Sequence, residues 1–106
     1  MSPDKTPKHY DSLKTRFPGV MKALENLGGS VRSEGPLDDK AAHLIQLAAA
    51  AAIQSEGSVH SHTRRAVEAG ATRDEILHAL MLLVSTVGFP KVAAAVSWAD
   101  DIFKQD

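Results

Sequence analysis

The chain has 106 residues, a formal net charge of −1 and no cysteine. Such a length fits one compact domain and not two, and a near-neutral chain without a basic run offers no electrostatic footprint for nucleic acid or an anionic membrane surface. The missing thiol excludes disulfides, thiolate metal sites and any sulfur nucleophile.

The longest apolar run, residues 79–84, is far shorter than the roughly 20 residues that span a bilayer. Residues 1–12 are polar and lack the apolar core of a signal segment, so a soluble, cytoplasmic protein is expected. Residues 1–8 carry Pro3 and Pro7 and no apolar period, which reads as a flexible segment ahead of one helical domain over 9–106. From His9 onward Tyr10, Leu13 and Phe17, then Val20, Met21, Leu24 and Leu27, recur at helical spacing. Pro18 divides them into two helices. Gly28 and Gly29 weaken the second helix, and Glu34-Gly35-Pro36 ends it.

Asp38 is placed to cap the next helix, which runs from Ala41 to about Gln54 through five consecutive alanines and reads as central. Gly57 then breaks the pattern, and Ser58 is a plausible cap for a short helix ending at Ala69, with Gly70 at the position that needs positive φ. Thr72-Arg73-Asp74-Glu75 has the spacing of a capping box. It opens a helix from Arg73 to about Val87 that is apolar nearly all round. Gly88-Phe89-Pro90 makes a turn, and a last helix runs from Pro90 to about Phe103. Nothing alternates like a strand, so the fold class is all-α with about six helices. Two strongly apolar helices in so small a chain leave a surplus of apolar surface, which predicts a homo-oligomer.

The polar, histidine-bearing stretch 55–72 lies between apolar helices and is the expected place for a small-molecule site. Ser58 and His62 are four residues apart and share a helix face. The pair reads either as a hydroxyl beside a general acid/base or as a helix cap beside a packed core histidine. His60 lies two residues from His62, about 200° away on an ideal helix, so both face one pocket only if the helix starts after His60. Arg64 can hold a substrate carboxylate as a planar fork. The ordinary alternative for Arg64 is an i, i+4 pair with Glu68 on the solvent face; of the two arginines, Arg65 is the one assigned to the solvent face. A metal site built from His43, His62 and a third histidine is a weaker alternative, because zinc needs three or four converging ligands.

Two strings resemble the carboxymuconolactone decarboxylase family, which includes the alkylhydroperoxidase D-like proteins. One is Leu37-Asp38-Asp39-Lys40 with Ile45, Leu47 and Ala48. The other is His62-Thr63-Arg64-Arg65-Ala66 through Glu68-Ala69-Gly70-Ala71-Thr72 to Glu75-Ile76. The resemblance implies an alkylhydroperoxidase D-like helical domain, assembled as a trimer or hexamer with a pocket near a subunit interface. The family's redox branch carries Cys-x-x-Cys-x-x-x-His with an upstream glutamate. Aligned on His62, the cysteine positions fall on Ser55 and Ser58 and the glutamate on His43. Serine can neither form a disulfide nor reduce a peroxide, so thiol peroxidase activity is excluded. The decarboxylase branch keeps a His-x-Arg that His62 and Arg64 match. The resemblance therefore implies a cofactor-free, metal-free enzyme acting on a small carboxylated, lactone-type substrate. In it His62 moves the proton with His43 as partner, Ser55 or Ser58 holds a substrate oxygen, and Arg64, with His60, serves binding. The alternative is a non-catalytic binding or assembly protein on the same scaffold.

Overall fold

The computed structural model describes residues 8–104. The segment expected to be loose, 1–8, lies outside these apart from Lys8, which opens the first helix. Among the described residues there are seven helices and no strand: α1 Lys8–Arg16, α2 Pro18–Ser33, α3 Asp39–Ala52, α4 Glu56–Glu68, α5 Arg73–Met81, the single-turn α6 Val84–Val87 and α7 Phe89–Lys104. None is long and apolar enough to cross a membrane.

Pro18 takes the first turn of α2, where its missing N–H has no partner to lose. The helix then runs through Gly28 and Gly29 to Ser33. Glycine in a helix interior costs only about 1 kcal/mol relative to alanine, which weakens a helix without ending it. α2 packs mainly against α1. Of its apolar residues only Met21 is buried, while Val20, Leu24, Leu27 and Val31 are each more than half exposed.

α3 is the central element, packed on α4, α5 and α7. Asp38 caps it as expected, accepting from the Ala41 N–H at 2.8 Å. The sequence reading misplaces the following corner. The break falls on Gln54, at φ 58°, and not on Gly57, which lies inside the first turn of α4. The Ser55 N–H donates to the Ala50 carbonyl and the Gln54 N–H to the Ala51 carbonyl, the paired bonds of a Schellman ending. The cap of α4 is accordingly Ser55, whose hydroxyl accepts from the Ser58 N–H at 3.4 Å. Glutamine in the left-handed region is strained by about 1–2 kcal/mol. Gln54→Gly is therefore expected to stabilise the chain by about 0.5–1 kcal/mol after the entropy of the unfolded glycine is set against that relief. Chemical denaturation reads the change as a higher midpoint at unchanged slope.

Gly70, at φ 102°, ends α4 in the same way, with Ala71 and Gly70 donating to the carbonyls of Ala66 and Val67. The capping box forms in both directions: the Thr72 N–H donates to Glu75 Oε1 at 2.9 Å and the Glu75 N–H to Thr72 Oγ1 at 3.1 Å. Lys40 reaches the other Glu75 oxygen at 2.7 Å and ties α3 to this corner. The long helix expected over 73–87 is instead split at Leu82-Leu83 into α5 and α6. At the split the Leu83 N–H donates three residues back, to the Leu80 carbonyl at 3.0 Å, so the turn tightens to 3₁₀ type before α6 begins. Nor is this segment buried all round. Ile76 and Leu80 enter the core, whereas Met81 and Leu82 face outward.

The core joins Leu47, Ala50 and Ala51 of α3 to Val59 and Ala66 of α4, Ala71, Ile76 and Leu80, and Ala95 and Ala99 of α7. Six of these ten residues are alanine, so the backbones approach closely. Larger side chains, Trp98 and Phe103 among them, pack around that seam.

Candidate functional site

α3 and α4, the most closely packed helices of the fold, each deliver an imidazole to the same place. Nδ1 of His43 stands 3.3 Å from Nδ1 of His62, with ring centroids 5.5 Å apart and the planes tilted by 37°. Burial pushes His62 down to about 4, and the neighbouring His43, Arg65 and Arg32 act in the same direction. Burial also lowers His43, aided by the charges of Arg32 and Arg65 and opposed by Asp39. Both rings are therefore neutral at pH 7. A hydrogen bond between two neutral Nδ1 atoms needs one to donate and the other to accept. One ring then carries its lone pair at Nε2, and the other carries an N–H there. The pair offers a proton acceptor and a proton donor at its two ends.

Two cavities flank this pair. One, of about 370 Å³, is lined by Ser55, Ser58, Ser61, His62 and Arg64, with Tyr10 and Arg65 at its side. The other, of about 530 Å³, is lined by His43, Asp39, Arg32, Glu25 and Met21, and again by Tyr10 and Arg65. The α1–α2 hairpin roofs both, where Tyr10 donates to Glu25 at 2.9 Å and Lys14 pairs with the same carboxylate at 3.1 Å. His62 thus has a void beside it and is not enclosed by aliphatic neighbours.

Arg64 is 8% exposed and forms no hydrogen bond or ion pair with any of the described residues. Burial and the adjacent Arg65 lower its pKa while Glu68 opposes them; a guanidinium stays charged even so. The solvent-face reading of Arg65 is corrected here: the side chain is half-buried and borders both cavities, and neither arginine pairs with Glu68.

Ser55 and Ser58 both line the cavity of His62. No hydrogen bond joins Ser58 to His62, so the hydroxyl has no base activating it. His60 does not join them. Its Nε2 lies 3.0 Å from Asp101 of α7, on the opposite side of α4, because the helix begins before His60. His78 is exposed on α5 and His9 of α1 borders the cavity of His62, but among the described residues no three ligand atoms converge at His43 and His62. Tyr10, Arg32 and Arg65 were not legible as site residues: the first two come from helices distant in sequence, and no local spacing links them to His62.

The Carboxymuconolactone decarboxylase family model matches residues 18–101, most of the chain. The chain belongs to that family. An uncharacterized protein of Methanocaldococcus jannaschii is 32% identical over 84 residues, which cover 79% of this chain and 78% of that protein. This family member has no thiol anywhere, and the decarboxylase-family scaffold here carries hydroxyls at Ser55 and Ser58 beside a pair of imidazoles.

Proposed function

We propose that the chain is a cofactor-free, non-redox enzyme acting on a small carboxylated substrate of the lactone type. The observation that carries the reading is the Nδ1–Nδ1 contact of His43 and His62 at the wall of a cavity that also holds the buried, ion-unpaired Arg64. The Arg64 guanidinium, partly desolvated and without an ion pair among the described residues, is open to a carboxylate, which supplies a counter-charge through a bidentate pair. Arg64 is an anchor and not the point of carbon dioxide loss, since holding a carboxylate as an ion opposes its conversion to a neutral molecule. The leaving carboxylate, or the lactone carbon, lies toward His62. When the bond to the leaving carboxylate breaks, its electron pair stays on carbon and takes the proton from the Nε2–H end of the imidazole pair, while the Nε2 lone pair at the other end takes up a proton from water and the Nδ1 proton shifts between the rings, so the pair stays neutral. Ser55 and Ser58 are within the same cavity to hold a substrate oxygen. The test is turnover of γ-carboxymuconolactone, expected in the parent chain and lost in His62→Ala; full activity in that variant overturns the assignment.

We also infer a homo-oligomer, a trimer or hexamer. Val20, Leu24, Leu27 and Val31 follow each other at spacings of four, three and four residues on α2, all exposed, with Phe17 exposed just before the helix. Such a stripe is the seam of a helix–helix interface. It adjoins the larger cavity through Leu24. Light scattering behind a sizing column is expected to give three or six copies, and Leu24→Glu with Leu27→Glu to reduce the mass to one. A monomeric parent overturns the inference. If the oligomer forms but no His62-dependent turnover is found, the scaffold serves binding or assembly instead.

A further inference from the structure

We propose that Glu56, His60 and Asp101 form a binding site for a divalent transition-metal ion, zinc in the first instance, that pins α4 to α7. The proposal does not depend on the reading of the cavity, since these three residues lie on the far side of α4 from His62. One ligand atom from each of the three lies within 4.8 Å of the other two. Glu56 and His60 are an i, i+4 pair and project from one face of α4. Asp101 comes from α7, the helix most closely packed on α4 after α3.

The spacing suits a small ion. Two ligands held about 2.0–2.2 Å from a tetrahedral zinc stand about 3.3–3.5 Å apart. His60 Nε2 and Asp101 Oδ2 are already 3.0 Å apart, so an ion enters between them with only slight opening, and Glu56 closes from the side. The backbone on both sides is fixed. Val59, next to His60, is fully buried, and Ile102, next to Asp101, is 4% exposed. Preset backbones keep the ligands from having to be ordered on binding.

The local charge argues the same way. Glu56 and Asp101 bring two acidic groups to the site, and no lysine or arginine of the described residues pairs with either. Elsewhere the acidic groups around α7 are compensated: Arg73 holds Asp100, one residue from Asp101, at 3.0 Å. An imidazole with two carboxylates is a nitrogen–oxygen donor set that suits zinc, cobalt or manganese better than copper(I), and three protein ligands leave a position for water.

The experiment uses the tag-free full chain stripped with a chelator and titrated with zinc or cobalt(II) alone. Calorimetry is expected to show one zinc per chain, and cobalt(II) to give the visible absorption of a four-coordinate site. Asp101→Asn keeps a hydrogen-bond acceptor for His60, so the fold persists by circular dichroism, yet zinc affinity falls at least about tenfold, as it does even when an outer partner of a metal ligand is lost. His60→Ala and Glu56→Gln fall likewise, and zinc raises the melting temperature of the parent but not of Asp101→Asn. A His43→Ala, His62→Ala double variant keeps the parent's zinc affinity. Uptake that follows His43 and His62, or affinity unchanged when all three residues are replaced, overturns the proposal, as does no uptake at all. In those cases Glu56 merely serves the positive end of the α4 dipole and His60–Asp101 is an ordinary interhelical hydrogen bond.

Discussion

Replacing His62 by alanine is expected to lower kcat on γ-carboxymuconolactone by about 10²–10⁴, the usual worth of a positioned acid/base group, while the helical circular dichroism signal and the assembled mass stay as in the parent. The ring lines a cavity on one side and meets His43 on the other, so its removal enlarges a void already open and does not collapse the alanine seam. The same variant has a stability signature. An unfolded histidine titrates near 6.5, and the folded His62 near 4. Between these values the unfolded chain binds the extra proton, so stability is complete above about pH 6.5 and is lost as pH falls toward about 4. The Tm of the parent is expected to drop across this window and that of His62→Ala to drop less. Carboxylates whose folded pKa is lowered, Glu25 and Glu75, lose their contribution below the ordinary carboxylate value of 4.5, which keeps the two effects apart. An equal drop in both proteins would place the titrating group elsewhere.

Arg64→Met is expected to move stability and function in opposite directions. Removing a buried charge that has no counter-ion among the described residues and filling its space with an apolar chain of similar length should raise stability by about 1–3 kcal/mol. The carboxylate anchor is lost at the same time. A hydrogen bond to a charged group is worth about 1.5–3 kcal/mol, so KM is expected to rise by about 10–10² with a smaller change in kcat. Denaturation midpoints and initial-rate kinetics on one preparation test both halves. A variant that is destabilised with KM unchanged would make Arg64 a structural cation and remove the carboxylate from the proposed chemistry.

The helices are legible in the sequence wherever a residue has one physical reason to be there. Asp38, Gly70 and the Thr72/Glu75 box each mark an element end, and the structure uses them so. The corner after α3 is not legible because glutamine does not advertise a left-handed backbone, whereas Gly57 looks like a breaker and is not one. The break at Leu82-Leu83 was hidden by an unbroken apolar run. His43 and His62 were paired through the family pattern and not through spacing, since 19 residues separate them. The cavity's Tyr10 and Arg32, and the Asp101 that faces His60, come from elements whose placement no local period encodes. Glu56 and His60 do have a readable four-residue spacing, but their third partner, Asp101, lies 41 residues beyond His60.

The alanine seam between α3, α4 and α7 has a consequence for how this scaffold hosts chemistry. Main chain sits almost directly on main chain there, so the distance between the two helices that bear the imidazoles is set by methyl groups and not by the reactive residues. Positions 43, 58 and 62 line the cavities beside that chassis, so their side chains can be exchanged without moving it, whereas Ser55 also caps α4 there. A thiol pair with a carboxylate, or hydroxyls with two imidazoles, can ride on the same frame at the same separation.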